Sequence, residues 1–450
     1  MALFAAGARG AKSNLEITPW AIALAGLLCL ATAMGIGRFA FTPLLPMMLN
    51  DGVIDLPGAS VLASANYLGY LVGALLCTFQ PWLWRRFTRL PQVAASTWVR
   101  AGLAATGLLT LGMALHFPAL WPLLRFAAGV ASAFVFIFTS GWCLSQLAAR
   151  HASSLGGVMY AGPGAGIAFS GLLASGMVSL HWTAATGWLI LGVLACVLTA
   201  VVWPTFYRTA AHPHLTSAAS AVSAASAASA ASAASGALAG PSAQQALDSS
   251  AHAAADRNQV LWLALAYGMA GFGYIITATF LPVIARQALP GSHWLDMFWP
   301  LFGLGVMAGA LLTTRMSLKG DLRHLLAGCY FVQALGVAVT VWSPTLFGFV
   351  AGSLLLGIPF TAITFFAMQE VRRLRPLAVS STMGLLTAVY GVGQIAGPPL
   401  VALLLGHSTS LGEGFRLSLE VAATSLVVGA VMYLWMVRAY PMDIRSDALG

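Results

Sequence analysis

Charged residues are scarce in this sequence, and acids are the scarcest of them. Only 7% of its 450 residues are charged, with 12 Asp and Glu against 21 Lys and Arg. A soluble domain carries about 25% charged residues. A soluble globular chain is therefore excluded, and the 59% of hydrophobic residues points to a lipid surrounding. Cysteine is scarce too. Cys29, Cys77, Cys143, Cys196 and Cys329 each lie in an apolar run, with neither CxxC nor metal-site spacing. They read as small buried hydrophobes. HExxH, a GxSxG context and acid pairs within apolar runs are all missing, which argues against an intramembrane enzyme. No metal or cofactor is expected. The formal charge of +9 does not indicate nucleic acid, because the basic residues are scattered through short loops and form no single patch.

Long apolar runs are what the sequence does have. A bilayer-spanning helix needs about 20 apolar residues, and twelve such runs can be marked. They are 17–48, 59–80, 93–115, 119–147, 154–179, 183–206, 259–284, 294–316, 324–342, 345–369, 379–406 and 415–438. The first is too long for a signal-peptide core of about 7–15 residues, so it is expected to be retained as a helix. With the N-terminus inside, sixteen Lys and Arg fall in inside segments, and only Arg286 and Arg416 fall outside. That bias predicts a multi-pass inner-membrane protein with both termini cytoplasmic. Residues 207–258 include an Ala/Ser repeat, Ser217 to Ala237, that cannot bury a core. The expected organisation is a cytoplasmic N-terminus (1–16), a six-helix bundle (17–206), a linker (207–258), a second six-helix bundle (259–440) and a tail (441–450).

The two bundles repeat one another. At an offset of 236, Gly35-Ile-Gly37-Arg38 falls on Gly271-Phe-Gly273-Tyr274, and Gly69 and Gly73 fall on Gly305 and Gly309. At an offset of 228, Arg125-Phe-Ala-Ala-Gly129 falls on Ser353-Leu-Leu-Leu-Gly357. Duplicated six-helix units joined by a long linker are the architecture of transporters that rock about a midplane site.

With these features the chain resembles the major facilitator superfamily, and the stretch GIGRFAFTPLLPMM resembles its uncharacterised YbfB/YjiJ-type bacterial branch. The resemblance implies an all-α membrane fold of twelve helices, with helices one, four, seven and ten lining a central cavity. Arg125-x-x-x-Gly129 is similar to the superfamily's RxxxG element, associated with proton coupling. Gly162-Pro163-Gly164-Ala165-Gly166 is similar to the GPxxG core of its antiporter motif, with Ile167 in place of a second Gly. The loop Gln80 to Arg89 departs from the family's GxxxDRxGRR pattern by lacking its acid, whereas Lys319-Gly-Asp321-Leu-Arg323 matches it in part.

Arg38, Arg100 and Arg125 lie inside apolar runs. A charge at bilayer depth costs from about 2.5 to more than 10 kcal/mol, so such groups face a cavity or find partners. Arg100 is near enough to the inner end of its helix to snorkel. Ala31, Gly35, Arg38 and Thr42 share one small, polar helix face. The implied cavity helices add Arg125, Tyr267, Tyr274, Ser353, Thr361 and, from helix eleven, Gln394. Each arginine could instead be structural, bonding carbonyls freed by Gly and Pro or pinning a neighbouring helix. Arg is always protonated and cannot itself carry a proton. Among acids, Glu420 is the leading coupling candidate, with snorkelling as its alternative. Gly35, Gly37, Gly162, Pro163, Gly166, Gly391 and Gly393 are expected to bend helices or let them approach closely.

Two cavity arginines without a cavity acid favour an anionic ligand. The expected function is secondary transport of a small organic solute, anionic and proton-linked, with export as one direction. Proton-coupled efflux of amphipathic or cationic compounds is the alternative. A transport-inactive sensor or scaffold is a rival of another class, although the linker and tail offer no domain for it. The expected partners are the solute, lipid and protons, and nothing indicates an oligomer.

Overall fold

The computed structural model describes residues 18–87, 93–152, 155–210, 243–292, 294–316, 320–375 and 379–442, and among these every regular element is helical. In chain order the long helices are α1 (Pro19–Asn50), α2 (Leu56–Arg86), α3 (Ala95–Gly112), α4 (Trp121–Ala148), α5 (Gly156–Ser179) and α6 (Ala184–Ala210). They continue with α7 (Ala243–Ala288), α8 (Phe298–Thr313), α9 (Leu322–Trp342), α10 (Leu346–Leu374), α11 (Val379–His407) and α12 (Leu411–Ala439). Eleven are long and apolar enough to cross a membrane. The exception is α3, whose 18 residues include Arg100, Ser96, Thr97, Thr106 and Thr110. It meets its hydroxyls internally, as Thr106 and Thr110 donate to the carbonyls of Gly102 and Thr106.

Both ends of the expected 207–258 linker are helical, and residues 207–210 continue α6. Residues 243–258, expected as linker, continue α7 towards its N-terminus. Ala243-Gln-Gln-Ala-Leu247 is built of strong helix formers with no Gly or Pro to stop it. The Ala/Ser repeat, Ser217 to Ala237, lies outside the described residues.

The repeat is visible in the packing. A Cβ on Gly69 would overlap the Phe126 carbonyl, and one on its counterpart Gly305 would meet the Leu354 carbonyl at 3.0 Å. Gly73 packs on Val130 and Gly309 on Ile358; Gly129 packs on Asn66 and Gly357 on Phe302. Each of these partners stands at the repeat offset from its counterpart, 228 for the residues of α4 and α10 and 236 for Asn66 and Phe302. The sequence registers thus encode one helix crossing used twice, α2 on α4 and α8 on α10. Only a residue without a side chain lets backbones come this close.

Twelve alternating helices put Pro19 and Ala439 at the same end of the bundle, here called the terminus end. There Arg323, fully buried, joins three helices. It donates to both carboxylate oxygens of Asp321, to the Met436 carbonyl at 3.0 Å and to the Tyr440 carbonyl at 2.8 Å. Buried Glu370 of α10 lies 3.8 Å from Arg323 and pairs with Arg373. At the far end Asp51 accepts from the Ala184 amide at 2.7 Å and so fixes the start of α6.

Candidate functional site

The site begins with a break in α1. Pro19–Leu30 is regular helix, Ala31–Arg38 is π-helical, and regular helix resumes at Phe41. The Phe39 amide reaches back five residues to the Met34 carbonyl at 3.0 Å. Beyond it the pattern fails. Proline at 43 has no N–H to offer the Arg38 carbonyl, and the Thr42 amide turns to the Phe39 carbonyl at 3.2 Å. The carbonyls of Gly37 and Arg38 are thereby left open. Arg125 of α4 fills both places, with Nη1 donating to Gly37 at 3.2 Å and Nη2 to Arg38 at 2.9 Å. Its guanidinium also lies 5.1 Å from the Phe41 ring centroid. A widened turn of this kind is frequent at functional sites. Here it turns Arg38 towards the other half.

The glycines make room for the break. Cβ atoms on Gly35 and Gly166 would overlap backbone across the α1–α5 contact, and Gly162 lies against the Leu27 carbonyl. Gly37 faces Thr106 of α3. α5 is interrupted between Tyr160 and Gly162, and Pro163 stands in the first turn after the break. Gly164 instead meets Gly303 of α8, in the other half. Gly393 packs on Gly268 of α7, while Gly391 meets only the Leu71 side chain. The GPxxG element is thus a close-packing surface on two sides.

Arg38 is 3% exposed and, among the described residues, pairs with no carboxylate. Its Nη2 donates to Gln394 Oε1 of α11 at 2.6 Å, while Nε is buried without a partner. The guanidinium carbon lies 3.9 Å from the Tyr70 ring centroid and 5.4 Å from that of Tyr67. Gln394 Nε2 in turn donates to the Tyr274 hydroxyl. Arg38 and Tyr274 stand at the repeat offset of 236, so one half supplies a cation where the other supplies a phenol, and Gln394 bridges them.

Aromatic rings extend from this bridge. Tyr274 and Tyr267 flank Tyr390 in near-parallel stacks, with centroids 5.9 and 4.7 Å away and interplanar angles of 22° and 28°. Phe360 meets Tyr274 edge-on at 4.9 Å. Among the described residues, the side-chain hydrogen bonds that join the halves lie at the depth of Arg38 or towards the far end. They run from Arg38 to Gln394, from Thr42 to the Ala278 carbonyl at 3.0 Å, between Tyr67 and Thr279 at 2.8 Å, and from Ser64 to the Ile395 carbonyl at 3.3 Å. Thr42 and Ala278 are also 236 apart, so this contact sits on the pseudo-twofold axis. Towards the terminus end, Tyr70, Thr361, Thr364 and Tyr390 are half-buried.

The expected site residues therefore separate. Arg38, Tyr274 and Gln394 come together. Tyr267 joins through the stack, although its hydroxyl already donates to Thr364 at 3.1 Å. Thr361 has a buried hydroxyl oxygen without a partner. Arg125 caps carbonyls, Thr42 seals the far end, and Ser353 donates within α10 to Phe349 at 2.7 Å. Glu420 is on the exposed face of α12, 3.8 Å from Arg416 and outside the Arg38 group. Arg100 lies 5.3 Å from the Trp203 ring centroid, away from the site. Tyr70, Tyr390 and Phe360 were missed. Tyr390 stands four residues before Gln394 on one helix face, a spacing that marks it.

Residues 30–240 and again 214–434 match the family model described as "Uncharacterised MFS-type transporter YbfB". Among solved structures the chain is similar to the nucleoside transporter NupG, with a TM-score of 0.61 and 14% identity over 92% of this chain and 99% of that one. It is also similar to a structure described under substrate recognition in proton dependent oligopeptide transporters, with a TM-score of 0.63 and 14% identity over 94% and 97%. A bacterial homologue of the human drug peptide transporters PepT1 and PepT2 gives a TM-score of 0.63 and 14% identity over 93% and 98%. At this identity the likeness is one of fold. No curated protein sequence matches the chain. The neighbours are transporters and not enzymes, both halves of the chain match the same family, and the chain belongs to the YbfB-type family of MFS transporters.

Proposed function

We propose that this protein carries a small organic anion across the membrane by alternating access, with Arg38 as the group that receives the negative charge. One observation carries the reading: a buried guanidinium at mid-bundle depth that pairs with no carboxylate among the described residues. Its ring contacts and its bond to Gln394 each offset about 2 kcal/mol of the burial cost. An anion offsets more, because it supplies the opposite charge in a medium of low dielectric. A cationic solute would meet repulsion at the same place.

Alternating access is supported by the arrangement about Arg38. The far end is held by Thr42, Tyr67 and Ser64, and half-buried side chains begin on the terminus side. With the basic loops placed inside an inner membrane, that side is cytoplasmic. Proton linkage and export rest on the resemblance of Arg125-x-x-x-Gly129 and Gly162-Pro163 to family elements.

The test is a thermal-shift series on the full chain in detergent. Benzoate, cyclohexanecarboxylate and succinate are compared with tetraphenylphosphonium. A ligand that binds only the folded protein raises its melting temperature. Stabilisation by a carboxylate, lost in Arg38→Gln, is expected. Stabilisation by the cation alone overturns the reading.

A further inference from the structure

We infer that the anion is an aromatic monocarboxylate, held by the side-on edge of Arg38 and flanked by Tyr70 of α2 and the ring edge of Tyr390 of α11. The inference rests on the assignment of Arg38 as the anion receptor and adds the shape of the molecule that carries the charge.

The guanidinium edge comes first. Nε and Nη2 form the side-on fork of an arginine, which matches the two oxygens of one carboxylate. In this structure the fork is half filled. Gln394 Oε1 takes Nη2 at 2.6 Å, and Nε is buried with no partner. The single carboxamide oxygen is placed against Nη2 and leaves Nε unmet. A carboxylate serves both once it displaces Gln394. The Gln394 amide nitrogen already donates to Tyr274 and keeps a second hydrogen for the incoming anion.

The surroundings of that edge define the body. Tyr70 covers Arg38 at 3.9 Å. Tyr390, four residues from Gln394, presents a half-buried ring and is stacked with both Tyr267 and Tyr274. Phe360 closes the group through the Tyr274 ring edge. Both faces of Tyr390 are taken by Tyr267 and Tyr274, so its edge is what it offers, and a ring edge favours the face of an aromatic guest, since an edge-to-face pair adds to simple area burial. A second carboxylate on the guest would have no cation to meet here. Among the described residues, the other guanidinium at this depth, Arg125, has both terminal nitrogens taken by the Gly37 and Arg38 carbonyls and only Nε unpartnered, so it offers no two-nitrogen fork. The charge is therefore single.

The test compares benzoate with cyclohexanecarboxylate, which have the same charge and nearly the same size and differ in flatness. The purified full chain in detergent is titrated with each, and with neutral benzamide and dianionic succinate, and dissociation constants are read from concentration-dependent thermal shifts. A contact of the size seen between aromatic pairs makes benzoate about three- to tenfold tighter than cyclohexanecarboxylate. Benzamide and succinate are expected to bind at least tenfold more weakly than benzoate. Tyr390→Leu should erase the preference for benzoate, and Tyr390→Phe should keep it. Cyclohexanecarboxylate is the more lipophilic acid, so partition into detergent works against the expected order. Equal binding of the two acids in the wild type overturns the aromatic inference and leaves the anion reading intact. Failure of both acids to bind overturns the anion reading, and the inference with it.

Discussion

Arg38 and Gln394 meet across 356 positions of sequence, with Nη2 donating to Oε1 at 2.6 Å. The bond joins the two halves at the depth where the far-end seal begins. Gln394 holds the place of one carboxylate oxygen, so its own charge should decide whether the site is vacant or satisfied. Gln394→Glu puts a carboxylate on Arg38 permanently. The variant is expected to melt higher than the wild type and to lose most of its response to benzoate. An undiminished benzoate shift would show that Arg38 does not receive the anion.

Arg38→Gln removes the cation from a fold that does not depend on it for carbonyl capping. Its circular dichroism and elution profile should match the wild type, while carboxylate binding falls by at least tenfold. Arg38→Lys keeps the charge and loses the fork, so it should recover only a small part of that affinity.

Arg125 behaves in the opposite way. Replacing it by Met leaves the Gly37 and Arg38 carbonyls unmet inside the bundle, at about 1–3 kcal/mol each. Arg125→Met is therefore expected to melt well below Arg38→Gln. A normal melting temperature for Arg125→Met would show that the break in α1 holds without its cap.

The glycines separate by what stands opposite them. A Cβ at Gly69 meets the Phe126 carbonyl and one at Gly166 meets the Ala31 carbonyl, and neither backbone can move aside cheaply. Gly69→Ala and Gly166→Ala should lower the yield of folded protein severely. A Cβ at Gly141 would meet nothing within 4 Å, so Gly141→Ala should fold as the wild type does. Fluorescence-detected size-exclusion of the three variants checks the ranking.

Asp321, in the turn before α9, gives a pH dependence. Burial raises its pKa, but the hydrogen bonds and charge of Arg323 outweigh that and hold it below its ordinary 3.8. A depressed carboxylate stabilises the fold fully above the ordinary value, and the effect fades as pH falls below it. The site is partly solvated, so the contribution is within about 1 kcal/mol. Asp321→Asn should lower the melting temperature at pH 7, with the gap to wild type narrowing as pH drops below 4. A gap that stays constant with pH would remove the ion pair from the account.

The sequence alone determined the number and order of the spanning helices, the repeat and the family, because each is written in local composition or in a fixed register. Hydropathy marks a helix that must satisfy its own backbone in lipid. The matched glycines of α2, α4, α8 and α10 mark one crossing made twice. It also marked Arg38, Tyr274 and Gln394 as candidates, since a charge or amide inside an apolar run requires a partner. Only the tertiary structure decided what those partners are. Arg38 and Arg125 look alike in sequence, two cations in apolar helices. One is aimed at Gln394 and the tyrosines, while the other caps carbonyls that open only because α1 widens at Ala31–Arg38. The contribution of Tyr70 likewise depends on how α2 packs, and Glu420 lies on the exposed face by the rotation of α12. Pairings between residues hundreds of positions apart are set by how helices rotate and cross, and that geometry leaves no local mark in the chain.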